Sequence, residues 1–277
     1  MTKELTIAFI GGGNMASALA AGLIGKRCGA HDVHVIDINA SVLERWAGQG
    51  TTVSQAPDDT LARRRLWILA VKPQFLKEAV MQCRPFLQED TLVVSIAAGI
   101  SAETLSAWLG RDGTPFTRLV RCMPNTPALI GSGATGLLAL PGVSEDDKAI
   151  VQQCMRAVGE VVWVDTDAQV DAVTALSGSG PAYVFLFIEA LIQGGIEQGL
   201  DEDQARTLAL ATVTGATQLA ALSHESLQTL RERVTSKGGT TAAALDVLQS
   251  RNFPGIVQQA MLAAYSRAGE LSNEFAQ

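Results

Sequence analysis

Residues 235–241 read TSKGGTT, placing two glycines and four hydroxyl side chains in seven positions. They offer hydrogen-bond donors and exposed backbone amides, and Lys237 is the one titratable side chain among them. The amides of Gly238, Gly239 and Thr240 open the helical sequence TTAAALDVL, where the helix dipole favours a bound anion. The stretch therefore predicts an anchor for an acidic substrate. From residue types alone, a capped helix start with a glycine hinge is the commoner explanation.

A glycine-rich segment near the N-terminus predicts a dinucleotide site. Residues 7–23, IAFIGGGNMASALAAGL, read as a strand, a GxGxxA turn that starts at Gly11, and a helix. Gly11 permits the tight turn and Gly13 lets the backbone approach a pyrophosphate. Amides around Asn14 and Met15 would then point at the phosphates. Because the motif lies between a strand and a helix, it favours a nicotinamide cofactor over a plain turn.

The second predicted strand ends in Asp37, about 24 residues after Gly13. An acid at this position accepts hydrogen bonds from the adenine ribose and repels a 2'-phosphate, which favours NADH. Asn39 and Ser41 follow directly and could donate to a phosphate if Asp37 turns away, and Arg45 lies one helical turn further on. These residues leave the choice open, and the predicted cofactor is NADPH, with NADH possible because of Asp37.

Two further strand ends should border the nicotinamide half of the cofactor. The buried strand of ILAVKPQ, residues 68–74, and the strand before MPNTP both end where ligands bind in open parallel sheets. The prolines stiffen these loops, which is also their ordinary structural role. The residues expected to contact the cofactor here are Val71, Lys72, Pro73 and Asn125.

A third small-residue segment is SGSGPAYV, residues 177–184. Ser177 and Ser179 lie in a predicted turn, and Pro181 is placed to start a helix. A simple capped helix would explain the same residues. We interpret Ser179 as a wall of the substrate pocket.

The elements that must position these residues fall into two halves. Residues 1–165 alternate short β-rich runs with amphipathic stretches, as in a doubly wound Rossmann-type α/β domain. Runs such as 66–71 are apolar without alternation, as in parallel strands covered on both faces. Residues 166–277 lack such runs and predict an all-α domain. Within it, residues 183–192 are apolar nearly all the way round, which favours an intertwined dimer.

Composition excludes several classes of function. The chain has 277 residues, 47% of them hydrophobic, and a formal net charge of -7, which argues against a nucleic-acid partner. Its four cysteines are scattered, without metal-ligand spacing, so neither a disulfide framework nor a metal site is expected. We find no signal peptide and no apolar run of about 18 residues, and therefore expect no membrane partner and a cytoplasmic protein.

Taken together, the motifs resemble the pyrroline-5-carboxylate reductase family over the whole chain. IGGGNMASAL, AVKPQ, SIAAGI, RCMPNTPA, AVTALSGSGPAYVF and RVTSKGGTTAAALDVL occur in the family's order. The resemblance implies a nicotinamide-dependent reduction of a cyclic imino acid to proline. It also implies a helical domain that interlocks into a homodimer, with a decamer of five dimers as the larger assembly.

The resemblance also implies roles for single residues. Thr241 matches the threonine whose hydroxyl reaches the ring nitrogen of the imino acid, and we assign it as the catalytic residue. The loop that holds the substrate carboxylate is matched by Ser236, Gly239 and Thr240. The matched cofactor positions are Gly11, Gly13, Asn14, Met15, Val71, Lys72 and Pro73. The sequence departs from the family at Lys237, where proline is common, and at Pro57, where an asparagine often touches the adenosine.

Two other functions stay open at this point. A 2- or 3-hydroxy acid dehydrogenase of similar layout would need a general base. The histidines His31, His34 and His224 are poorly placed for that role, which leaves Lys237 as the candidate. A non-catalytic dinucleotide-sensing regulator would need neither, but the sequence carries no basic surface or effector tail.

Overall fold

The computed structural model describes residues 5–276, which form two compact units. The first contains residues up to Ser179 together with the C-terminal segment from Ala264, and the second runs from Gly180 to Ala263. The predicted boundary at residue 165 therefore lies before the point at which the first unit ends.

The first unit is built on one eight-stranded sheet with strand order β3-β2-β1-β4-β5-β6-β7-β8. Each pair of neighbouring strands is parallel except β6 and β7, which are antiparallel. The order reverses between β1 and β4, which is the position at which open α/β sheets bind their ligands. The strands are β1 Ile7–Ile10, β2 Val33–Ile36, β3 Thr52–Ser54, β4 Leu66–Leu69, β5 Leu92–Ser95, β6 Leu119–Met123, β7 Gly133–Ala139 and β8 Gly159–Trp163.

Helices cover both faces of this sheet, because alternate residues of each central strand enter different cores. Ile7 and Phe9 belong to one buried cluster, while Ala8 and Ile10 belong to the other. The helices of this unit are α1 Asn14–Leu23, α2 Ala40–Ala47, α3 Asp59–Ala62, α4 Pro73–Cys83, α5 Ala102–Leu109, α6 Glu145–Arg156 and α7 Asp167–Val173. Short 3₁₀ turns span Ala30–Asp32, Arg84–Phe86 and Thr126–Ile130, and a π-helical turn spans Thr174–Gly178.

The predicted Rossmann-type fold class is confirmed, and seven of the β-rich runs are strands. The short strand β3 has no counterpart among them. It pairs with β2 over three residues at the edge of the sheet, and Thr52 is exposed there. An edge strand of this length carries too few apolar residues to give a periodic signal.

Two segments predicted to belong to the helical domain pack in the first unit. The carboxylates of Asp167 and Asp171 in α7 pair with the buried guanidinium of Arg121 on β6, at 2.5 and 3.0 Å. At the C-terminus, Phe275 packs against the second buried cluster, and Leu271 lies against Gly99. Long-range ion pairs and apolar contacts of this kind leave no local mark in the sequence.

The regular elements of the second unit are all helices within its described residues, as predicted. Its helices are α8 Gly180–Glu197, α9 Glu202–Leu222, α10 Leu227–Arg233 and α11 Thr240–Ser250, followed by the first part of α12 Phe253–Phe275. The helix α9 begins with a reciprocal capping box in which the Asp201 carboxylate accepts from the Gln204 amide. No residue of α8 is buried, and Phe185 and Leu186 are 59% and 68% exposed. A surface this apolar indicates an interaction with another chain.

The continuous helical run Asp167–Glu197 bears on the expectation of no membrane partner, which stays a prediction. By length and composition alone it could cross a membrane, with a mean hydropathy of 1.5. However, its first turns carry Asp167 and Asp171, whose charges are held against Arg121 of the sheet. This arrangement fits a helix that anchors to the first unit and offers its later apolar residues to a partner chain.

Candidate active site

A cavity of about 520 Å³ opens at the carboxyl ends of the central strands of the first unit. It lies where the strand order reverses between β1 and β4, as the switch-point rule requires. Predicted cofactor residues that line it are Gly11, Gly13, Asp37, Asn39, Val71 and Lys72. Asn14, Met15 and Pro73 adjoin these residues along the chain.

The glycine turn fits an approaching pyrophosphate. Gly11 has a φ of +97°, and a side chain there would place its first carbon 2.7 Å from the carbonyl oxygen of Ala70. Gly13 borders open space, with nothing within 4 Å of the position of a Cβ atom. The backbone at Gly13 can therefore be approached closely, while Gly11 lets β1 and β4 end side by side.

The start of α1 supplies donors for an anion. Gly13 is the N-cap and provides no side-chain bond, and the first intrahelical bond runs from the Ser17 amide to the Gly13 carbonyl at 3.0 Å. The amides of Asn14, Met15 and Ala16 therefore have no partner within residues 5–276. No acidic residue lies in this first turn. These properties are those of a phosphate-binding helix terminus.

Asp37 is fixed by two backbone amides. Its Oδ2 accepts from Gly12 at 2.8 Å and its Oδ1 accepts from Asn39 at 2.9 Å. Asn39 in turn caps α2, because its Oδ1 accepts from the Ser41 amide at 3.0 Å. Asp37 therefore does not turn away, and its carboxylate is held beside the glycine turn.

Sequence reasoning missed several residues of this cavity. The indole of Trp46 is buried and donates to the Gly12 carbonyl at 2.9 Å, which fixes the glycine turn from behind. Ile38 is 91% exposed and Phe75 is 57% exposed, and both line the cavity. For Ile38, the available signal was an apolar residue directly after Asp37. Nothing in the sequence indicates the tertiary contact of Trp46.

Asn125 is not brought to this cavity. Its Nδ2 donates to the carbonyl of Ser177 at 3.0 Å, and its Oδ1 accepts from the Ala134 amide at 2.8 Å. Both ends of its amide are used within the fold, and the contact of Asn125 with the cofactor stays a prediction. Ser179 ends the π turn, with its amide bonded to the Thr174 carbonyl at 2.8 Å.

In the second unit, residues 235–241 form the loop that leads into α11. Gly238 has a φ of +73°, a conformation that favours glycine, and the Gly239 amide donates to the Ser236 carbonyl at 3.0 Å. The predicted anion site therefore needs a correction, because the Gly239 amide closes this turn and is not free. The free donors are instead Gly238 before it and the first helical amides, from Thr240 onward.

Three of the four hydroxyls of this loop are uncommitted. Within residues 5–276, the side chains of Ser236, Thr240 and Thr241 make no hydrogen bond, whereas Thr235 donates to the Arg231 carbonyl at 2.6 Å. Lys237 is exposed beside them. The start of α11 thus combines free hydroxyls and free amides, which suits the orientation of a small anion more than proton abstraction.

Within residues 5–276, neither His34 nor Cys83 offers an acid–base group to this cavity. The His34 ring is buried in β2 between Thr52 and Ser54, at 2.9 and 3.1 Å, and burial lowers its pKa. Cys83 borders the cavity, but burial raises the pKa of its thiol to about 12, so that it stays neutral. Within residues 5–276, no group of His, Cys, Asp and Glu side chains could hold a metal ion.

Comparison with known proteins identifies the family of this chain. The chain is 42% identical over 272 residues to a pyrroline-5-carboxylate reductase from Pseudomonas aeruginosa, and the match covers 98% of both chains. The chain belongs to the pyrroline-5-carboxylate reductase family. The family's dimerisation region is matched by residues 167–271, and a family described as NADP oxidoreductase, coenzyme F420-dependent, by residues 6–99.

Solved structures of pyrroline-5-carboxylate reductases share the whole fold. The enzyme from Coxiella burnetii has a TM-score of 0.88 at 37% identity, covering 98% of this chain and 99% of that one. The enzyme from Plasmodium falciparum, solved with NADP bound, has a TM-score of 0.83 at 28% identity and covers 98% of this chain and 100% of its own. The resemblance inferred from the motifs is confirmed.

Proposed function

We propose that this protein reduces 1-pyrroline-5-carboxylate to L-proline, the last step of proline biosynthesis, with NADPH or NADH as reductant. Membership of the family over the full length of the chain supports the activity. The observation that carries the chemistry is the start of α11, where Ser236, Thr240 and Thr241 keep free hydroxyls beside free amides. A protonated imine is already electrophilic, so the enzyme needs placement more than a strong base.

The proposed cofactor residues of the first unit contact different parts of the cofactor. The amides of Asn14, Met15 and Ala16 hold the pyrophosphate, and Gly13 admits it. Val71, Lys72 and Pro73 border the nicotinamide half at the end of β4. When bound, the cofactor supplies a hydride to the carbon of the C=N bond.

The proposed substrate residues of the second unit bind the imino acid. The carboxylate is held at the start of α11 by Ser236, Gly238 and Thr240 and by the helix dipole. Gly239 contributes its small size to the turn. The hydroxyl of Thr241 is aligned with the ring nitrogen, to which it donates or from which it accepts according to the protonation state. Ser179, in the first unit, is the residue proposed as a wall of the substrate pocket.

The test is cofactor oxidation followed at 340 nm with pyrroline-5-carboxylate, once with NADPH and once with NADH, against a blank without the imine. Turnover with at least one cofactor and formation of proline are expected. A protein that binds the cofactor but consumes none in the presence of the imine would be a sensor, and the proposed activity would be wrong.

The same reasoning extends to assembly and location. Residues 166–277 serve as the dimerisation and substrate-binding region, and the exposed apolar side chains of α8 support a homodimer, with five dimers in a decamer as the larger assembly. Sedimentation of Leu186→Glu against the exposed control Val162→Glu tests the surface, since only the first should dissociate. Four free cysteines suit a reducing cytoplasm.

A further inference from the structure

The π-helical turn Thr174–Gly178 lies directly before Ser179 and widens the helical backbone at that point. The amide of Ser179 bonds to the carbonyl of Thr174, five residues back, at 2.8 Å. Such turns are rare and collect at functional sites. Within residues 5–276 the hydroxyl of Ser179 makes no hydrogen bond, so the turn ends on a free polar group.

The carbonyl of Ser177 accepts a hydrogen bond from a side chain outside the helix. In a regular α-helix its donor would be the amide of residue 181, but Pro181 has no N–H. The side-chain Nδ2 of Asn125 donates to this carbonyl at 3.0 Å instead. Asn125 therefore replaces the donor that the helix lacks.

The other end of Asn125 is tied to the sheet. Its Oδ1 accepts from the amide of Ala134 in β7 at 2.8 Å, and the residue is buried. One side chain thus links the π turn to a strand of the rigid sheet. Loss of either bond would remove this partner from a partly buried backbone group.

Asn125 completes a row of contacts along one face of the chain. Residues two apart in an extended segment share a face, and Arg121, Met123 and Asn125 follow that spacing. Arg121 pairs with the two aspartates of α7, and Met123 packs so closely on Gly178 that a side chain at 178 would lie 2.6 Å from its Cε. The row holds α7 and the π turn from Asp167 to Gly178.

We propose that Asn125 is a positioning residue, which holds the π turn and with it the free hydroxyl of Ser179. This inference rests on the proposed function, in which Ser179 is a wall of the substrate site. Asn125 acts through the backbone of Ser177 and does not touch the cofactor. Its loss should therefore affect substrate use and leave cofactor affinity intact.

Asn125→Asp in the full-length enzyme tests this. The aspartate keeps the shape and the acceptor for the Ala134 amide but cannot donate to Ser177. The KM for pyrroline-5-carboxylate should rise about ten-fold and kcat should fall, while the Kd for NADPH, read from its fluorescence, should stay within about two-fold of wild type. Gln152→Glu is the matched control, because it adds the same charge while keeping its acceptor for the Trp163 indole, and it should change neither constant.

A rescue experiment separates positioning from general damage. Pro181→Ala restores an amide at residue 181, which can bond the Ser177 carbonyl. In that background Asn125→Asp should cost no more than about three-fold in KM. If Asn125→Asp alone does not accumulate as folded protein, the constants are measured in the double variant and compared with those of Pro181→Ala.

Three results would overturn the proposal. The first is NADPH binding weakened about ten-fold with an unchanged KM, which would make Asn125 a cofactor ligand. The second is a lower Tm with both constants unchanged, which would make its role purely structural. The third is an undiminished loss in the Pro181→Ala background. Wild-type turnover of pyrroline-5-carboxylate is measured first, so that failure of the proposed function is recognised separately.

Discussion

The carboxylate of Asp37 accepts a hydrogen bond of 2.8 Å from the backbone amide of Gly12, inside the glycine turn of the cofactor cavity. A second bond of 2.9 Å from the Asn39 amide uses its other oxygen. The negative charge is thereby fixed where the adenine ribose is expected to bind. A fixed charge at this point distinguishes a ribose hydroxyl, which can donate to it, from a 2'-phosphate, which it repels.

Asp37→Asn should shift cofactor preference toward NADPH. The amide oxygen can still accept from Gly12, but the charge is gone, so the ratio of the Kd for NADPH to that for NADH should fall about ten-fold. Fluorescence titration with each cofactor measures the ratio. Asp59→Asn removes one charge from an exposed helix start and serves as the control. An unchanged ratio in Asp37→Asn would show that Asp37 does not face the ribose.

Thr241→Ala should leave an impaired but measurable reductase. Removal of one hydroxyl contact to the ring nitrogen is worth about 2 kcal/mol, or roughly a 30-fold lower kcat/KM. Thr241→Ser keeps the hydroxyl and should stay within about three-fold of wild type. Thr217→Ala removes a hydroxyl that bonds only within its own helix and should have no effect. Wild-type kinetics in Thr241→Ala would contradict the assigned role.

Lys237→Met separates imine reduction from alcohol oxidation. A reductase that relies on placement does not need the lysine as a base, so most of the activity should remain. A hydroxy acid dehydrogenase would lose its general base and with it nearly all turnover. Steady-state rates with pyrroline-5-carboxylate and with 2- and 3-hydroxy acids decide between the two.

Asp147 should contribute to stability in a pH-dependent way. Burial alone would raise its pKa, but hydrogen bonds from Arg118 and Ser144 outweigh burial and hold the pKa below the ordinary 3.8. A lowered pKa in the folded state stabilises the protein above the unfolded-state value and is lost as the pH falls toward the folded-state value. Asp147→Asn should therefore cost about 3 kcal/mol at pH 7, a loss that shrinks below about pH 4.

Urea denaturation at a series of pH values measures this contribution. Glu145→Gln is the control, because Glu145 forms an exposed pair with Lys148 at the start of the same helix. Its loss should cost less than about 1 kcal/mol. A constant difference between wild type and Asp147→Asn from pH 7 down to pH 3 would exclude the proposed linkage.

Local sequence patterns predicted most of the fold, because strands buried on both faces and amphipathic helices leave strong periodic signals. The glycine turn at Gly11 and Gly13 was equally predictable from the sequence, since backbone geometry dictates its residue types. Two features could not be predicted from the sequence: the short edge strand β3 and the docking of α7 through Arg121. Both depend on pairings between distant residues.

In the candidate site, too, local patterns were predictable and contacts between distant residues were not. Asn125 follows a strand end, as a cofactor ligand would, but its partners are Ser177 and Ala134 in segments far along the chain. The turn at Gly239 uses an amide that the residue types alone had left free. Spacing identifies which residues gather near a ligand, whereas hydrogen-bond partners decide which groups are still available to it.

The central claim is a hydride transferred to the carbon of a cyclic imine. The most direct measurement is mass spectrometry of the product after incubation with pyrroline-5-carboxylate and a cofactor carrying deuterium at the transferable position of nicotinamide C4. The expected product is proline one mass unit heavier than the product made with unlabelled cofactor. Unlabelled proline, or no proline while the cofactor binds, would contradict it.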